Sequence, residues 1–104
     1  LRYSERVDLV VEERSKYNPL TKKKEATYKT YTKIPCNVNR LSRERTQLEF
    51  GEMAKDVSVV RLPKQLKFEP THVLLKGRKY KVMDIRVYDH STSLFISEVL
   101  SDGN

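Results

Sequence analysis

The sequence predicts an all-β fold: a small antiparallel β-barrel or sandwich of five to six strands, with a long central loop that has room for a short helix. Three observations predict it. Runs rich in Val, Ile, Thr and Tyr alternate apolar and polar residues with a period of two, as half-buried strands do. Turn formers punctuate these runs at hairpin spacing, at Asn18-Pro19 and at Lys76-Gly77. Segments with a convincing 3.6-residue period are few. The 104 residues suit a single domain, 1–104, built on one core. A domain of this size buries only roughly 60–70% of the surface its unfolded chain exposes, so support from neighbouring subunits is a natural expectation.

The first strand is expected in "RVDLVVEE", where Val7, Leu9 and Val11 share one face and Arg6 and Asp8 the other. "RSKYNPLTKKKE" then reads as a long solvated hairpin loop, turned by Asn18-Pro19. "ATYKTYTKIPCNV" is a second strand, in which Pro35 has no N–H for a ladder and so marks a strand edge, a bulge or a change of sheet. "VSVVRL" resumes strand character up to Pro63, and "PKQLKFEP" is a loop bracketed by Pro63 and Pro70. In "HVLLKGRKYKVMDIRVY" a hairpin turns at Lys76-Gly77, because Gly accepts the positive φ of a tight turn. Along its second arm Tyr80 and Val82 are apolar, then Met83, Ile85 and Val87. The phase slips by one residue at Val82–Met83, as a β-bulge or a strand bending around a barrel corner would cause. "DHSTS" is the next turn and "LFISEVL" the last strand.

One stretch resists both periods. "NRLSRERTQLEFGEMAKD", from Asn39 to Asp56, reads as a long loop at about 40–56 or as a short surface helix. A helix here would be anchored by Leu48, Phe50 and Met53, and Thr46 to Glu49 has the spacing of a capping box. An irregular segment of this length inside a compact domain is commonly functional.

Charge locates candidate contacts. The formal net charge is +7, which favours an anionic partner and also serves solubility. Residues 14–33 carry seven basic residues against Glu25, a local charge of +6. Residues 61–81 carry seven against Glu69, again +6. Lys22, Lys23, Lys24, Lys64, Lys67 and Arg78 are therefore the candidate contacts to DNA or to an acidic protein surface. Residues 40–56 balance four basic against four acidic side chains. A segment that grips phosphates carries surplus positive charge, whereas mixed charge suits pairing with protein.

The chemistry expected is that of a non-enzyme without cofactor or metal. Cys36 is the sole cysteine and His72 and His90 the only histidines, so no metal-ligand spacing exists. Asp89-His90-Ser91 holds the letters of a triad, but neighbours in a turn point apart, and triads converge from separated positions. With three glycines in all, no glycine-rich phosphate loop is available. No run approaches the roughly 20 apolar residues of a membrane span, and the first residues hold no signal-peptide core, so a protein made in the cytosol is expected.

Taken in order, "RYSERVDLVV", "YNPLT", "IPCNVNRLS", the "FG" of the central stretch, "VSVVRL", "HVLLKGRKYKVMDIRVY" and "LFISEV" resemble the head-closure proteins of long-tailed bacteriophages, over roughly residues 2 to 99. These are also called stoppers or head-completion proteins. The resemblance implies a virion protein of the head–tail connector, assembled in the host cytoplasm. It implies a ring of small β-barrels below the portal and adaptor, with the tail terminator or other tail proteins docked beneath. Double-stranded DNA passes through the centre of such a ring, and no membrane is involved. In the family an extended loop closes the channel after packaging. By position that loop corresponds to Arg40–Asp56, with Arg40, Arg43, Glu44, Arg45, Gln47, Leu48, Glu49, Phe50 and Glu52 as gate residues. No fixed motif aligns there, so the correspondence is positional. Ring contacts are expected from the N-terminal strand and the loop around Pro19. A tail-joining or tail-terminator protein of the same connector is the nearest alternative. From a different class comes a monomeric basic barrel that binds single-stranded nucleic acid, with Tyr28, Tyr31 and Tyr80 as stacking platforms.

Overall fold

A computed structural model of the chain describes residues 2–18, 20, 23–51 and 56–98, with side chains described outside 14–18 and 23–26. The order is β1 (Glu5–Asn18), β2 (Lys23–Arg40), α1 (Arg43–Phe50), β3 (Val57–Leu62), β4 (His72–Leu75), β5 (Arg78–Val87) and β6 (Thr92–Glu98). All neighbouring pairs are antiparallel, and the sheet closes as β1-β2-β3-β6-β5-β4. Of the two expected architectures the barrel is the one formed. Closure gives the short strands partners on both sides and removes the sheet edges that would otherwise stick to other chains.

Strand alternation sorts the core into two layers. Val7, Leu9, Cys36, Val60, Leu62, Val73, Leu94 and Ile96 point into the barrel, joined by the half-buried Tyr31, Ile34, Tyr80, Val82 and Ile85. The 63–70 loop supplies Leu66 and Phe68 to the same interior, and the Phe68 ring stacks on Tyr31 with centroids 4.3 Å apart. Thr92 pins that loop: its hydroxyl donates to the Lys64 carbonyl at 2.9 Å and accepts from the Leu66 N–H at 3.0 Å. This use of Thr92 is why β6 begins two residues earlier than the apolar pattern implies. On the outer surface, Val57, Val59 and Phe95 form a second buried layer with Leu41 and Phe50.

Two bulges bend the barrel. In β5 the register jumps between Val82 and Asp84, so Met83 is the extra residue and the slip read from the sequence is a real one. In β2, Thr32 and Lys33 stand opposite Asp8 alone. Lys33 takes φ 55°, and its N–H donates to the Asp8 carboxylate at 3.0 Å. Pro35 lies between that bulge and the point after Cys36 where β2 gains β3 as a partner. The Lys76-Gly77 turn has φ of 50° and 78°, the two left-handed residues of a type I′ hairpin.

The expected loop over 14–25 is corrected. β1 and β2 continue pairing to Asn18↔Lys23, so the reversal is confined to residues 19–22. Charge hid these strands from a pattern search, since residues 14–25 are rich in Lys and Arg and show no apolar alternation. β4 leaves β1 at Val10↔His72, and beyond it the β1–β2 ribbon projects as an arm. Eight residues at about 3.3 Å each give roughly 25 Å of reach, consistent with overall extents of 50 × 31 × 25 Å. The barrel thus has two unlike ends. One gathers Glu5, Arg40, Glu98 and the Lys76-Gly77 turn; the other carries the arm, the 63–71 loop and the 88–91 turn.

Candidate functional site

The central stretch is a helix held against the barrel wall. Ser42 caps it, its Oγ accepting from the Arg45 N–H at 3.2 Å, and Gly51 ends it at φ 88°. The cap expected at Thr46 is therefore placed four residues earlier; Thr46 lies within the helix and is 4% exposed. Of the apolar set expected to anchor the segment, Phe50 does so and Leu48 does not. Phe50 packs on Phe95 with centroids 5.6 Å apart, whereas Leu48 is 81% exposed. Met53 and Glu52 lie outside the described residues.

Polar contacts complete the attachment. Arg86, on β5, lays its guanidinium 4.4 Å from the Phe95 ring centroid and reaches Glu49 at 3.5 Å and Asp84 at 3.2 Å. The hydrogen bond that Arg86 donates to the Asp84 carboxylate is the main cause that raises the Arg86 pKa, with Glu49 adding to it. Glu49 also pairs with Arg45 one turn back at 3.6 Å. At the stems, Arg40 is ion-paired with Asp56 and the Leu41 N–H donates to the Val57 carbonyl at 2.8 Å, closing the loop at its base. Arg43, Glu44, Gln47 and Leu48 face solvent. Sequence reasoning missed Arg86, because a residue 37 positions from Glu49 becomes its neighbour only once the barrel closes.

These contacts are individually small. A half-buried Phe contributes about 1–2 kcal/mol, the cation–π contact about 0.5–2 and each part-exposed ion pair about 0.2–1.

The predicted basic contacts are split between the two ends. Lys64 and Lys67 are exposed on the loop at the arm end, and among the described residues neither makes an ion pair. Lys23 and Lys24 begin β2 at the arm tip, their side chains outside the described set, and Lys22 lies outside it altogether. Arg78 is not with them. It sits at the opposite end, paired with Glu98 at 3.3 Å, beside the Lys76–Glu5 pair at 3.2 Å. Of the three candidate stacking tyrosines, Tyr28 is 60% exposed. Tyr31 is stacked on Phe68 and Tyr80 packs on the core, so their rings are already engaged.

An open groove of about 760 Å³ runs beside the β5 bulge, lined by Glu12, Glu69, His72, Lys81 and Asp84. His72 has its pKa lowered by burial and then by Lys79, and its Nδ1 lies 3.0 Å from the Thr71 hydroxyl. Asp89-His90-Ser91 occupies the exposed 88–91 turn, closed by the Tyr88 N–H donating to the Ser91 carbonyl at 2.8 Å. Among the described residues no group of three or more His, Cys, Asp or Glu side chains is placed to hold a metal ion, and no helix is long and apolar enough to cross a membrane. Comparison with protein-family models, curated proteins and solved structures gives no match.

Proposed function

We propose that the chain is a structural ring protein of the bacteriophage neck. Its copies encircle double-stranded DNA below the portal and adaptor, close the channel after packaging and present the surface to which the tail attaches. The role is mechanical, and no catalytic group or cofactor is assigned to it. One observation carries the reading: a charge-balanced segment stands on stems joined by Arg40 and Asp56, and its helix lies on the outside of a closed barrel rather than within its core. A gate needs those properties. It must leave its resting place without unfolding its support, and it must not be glued to phosphates by surplus positive charge. In this reading the docked helix is the withdrawn state.

Locking the helix tests the gate. Cysteines at positions 49 and 86 (Glu49→Cys, Arg86→Cys), placed in a Cys36→Ala background, would be joined by a short bis-maleimide before the neck is assembled. Particles carrying the locked ring are expected to package DNA and then lose it, while particles with the unlinked double variant retain it. DNA retention by locked particles overturns the gate. Titration with single-stranded DNA addresses the monomeric nucleic-acid binder: tight binding with tyrosine quenching by a chain that stays monomeric would replace the ring reading.

A further inference from the structure

We propose that the outer wall of the barrel carries an oxyanion site: Arg61 of β3, Ser93 of β6 and Arg86 of β5 form one row of donors that takes a phosphate group. The site stands apart from the ring reading and does not rest on it.

Register sets the row. Arg61 is paired with Ser93 and Ser93 with Arg86, so the three residues lie side by side across three adjacent strands. Alternation fixes the face. Val60, Leu62, Leu94 and Ile85 point into the barrel, whereas Val59 and Phe95 belong to the outer layer, so Arg61, Ser93 and Arg86 turn outward. Strands about 4.8 Å apart put the two arginines roughly 10 Å from each other at Cα, with the serine midway, and long side chains converge across that span.

The hydroxyl of Ser93 calls for a ligand. The residue is 6% exposed, yet its side chain makes no hydrogen bond among the described residues. Its neighbour Thr92 shows the usual arrangement, a buried hydroxyl that both donates and accepts. A buried hydroxyl without a partner is costly, and native structures keep few of them. The side chains on both sides of Ser93 are cations. Arg61 is half-buried and likewise has no hydrogen bond or ion pair among the described residues. A guanidinium partly withdrawn from water without a counter-charge is costly in the same way. Arg86 commits Nε to Asp84 and Nη1 to Glu49, which leaves Nη2 uncommitted among the described residues.

One anion above Ser93 satisfies all three. A phosphate group has enough oxygens to accept from the hydroxyl and from both guanidinium groups at once, and such charge-assisted bonds are the strong ones. A carboxylate has fewer: Glu49 reaches Arg86 at 3.5 Å and leaves Arg61 unpaired. Glu49 is also a like charge to the incoming anion on a shared guanidinium, so the site has a built-in competitor near the end of α1.

Amide chemical shifts of the full chain, followed by NMR as inorganic phosphate is added at constant ionic strength, test the site. Saturable shifts are expected at Arg61, Ser93 and Arg86. Arg61→Ala should weaken binding about tenfold and Ser93→Ala several-fold, whereas Lys79→Ala, which removes the same charge elsewhere, should leave it unchanged. Glu49→Gln should tighten binding several-fold, and Glu98→Gln, at the far pole, should not. Without phosphate, Ser93→Ala should melt no lower than the parent chain, since the hydroxyl it removes has no partner to lose. A short DNA duplex added in place of phosphate identifies where the group comes from. A duplex that moves the same three amides assigns it to a nucleic-acid backbone; one that leaves them still assigns it to free phosphate. Shifts that never saturate, or that spread over the whole basic surface and survive Arg61→Ala and Ser93→Ala, overturn the site and leave water as the partner of Ser93.

Discussion

Phe50 and Leu48 sit two residues apart on the same short helix and have opposite fates, which sequence could not distinguish. Both are apolar and both fall in a stretch without a clear period; only the position of Phe95 on β6 decides which of them is covered. Phe50→Ala is expected to destabilise the chain by about 1–2 kcal/mol and Leu48→Ala by less than about 0.5, measured by urea denaturation. Cys36 was legible as a lone thiol, but its setting was not. It is fully buried, and burial, with Glu5 adding, pushes its pKa up to about 11. The unfolded thiol ionises near 9, so the folded state keeps a neutral group where the unfolded state gains a charge, and stability falls as pH rises from 9 toward 11. The loss is on the order of 2–3 kcal/mol, and Cys36→Ala should remove that part of the alkaline slope. Native chain at pH 8 should also resist thiol reagents until denaturant is added.

Elements were legible where one face is wet and the other dry. β4, the first half of β5 and the Lys76-Gly77 turn follow from alternation and turn chemistry, while β3, covered on both faces, follows from its Val-rich run. So does the β5 bulge, since an apolar phase that slips by one residue has no other economical cause. Deleting Met83 removes the one unpaired residue, keeps Asp84 opposite Phe95 and leaves Tyr80, Val82, Ile85 and Val87 alternating on one face, so the variant is expected to keep a cooperative thermal melt. The helix was half-visible, because its only strong sequence signals are at its ends. Ser42→Ala is expected to cost about 1 kcal/mol, while Ser42→Asp should be close to neutral; both are readable from thermal midpoints. The β1–β2 ribbon was not legible past Glu13. Its pairing is a matter of backbone register, and backbone bonds leave no mark on hydropathy.

At the scale of the molecule, an antiparallel all-β chain of five to six strands, barrel or sandwich, was foreseeable, and which of the two would form was not. Closure depends on β1 meeting β4 over only three residue pairs, Asp8↔Leu74 to Val10↔His72. Hydrogen exchange should expose the resulting division of stability. Backbone amides of Val60 and Leu94, inside the barrel, are expected to exchange only on global unfolding, and those of Tyr28 and Thr30 within seconds to minutes in the monomer. The candidate contacts fall at both ends for a related reason: local charge sums find basic segments but not which end of a barrel each one reaches, so Arg78 was grouped with lysines from which the fold separates it.

The unlike ends have one more consequence. Ion pairing quiets Arg40, Lys76 and Arg78 at one pole, while the arm and its neighbouring loop keep their surplus charge at the other. The molecule is consequently an electric dipole along its long axis. A polyanion exerts a torque on it before contact, turning the arm foremost, so that ionic strength governs how quickly and in which orientation the two first meet.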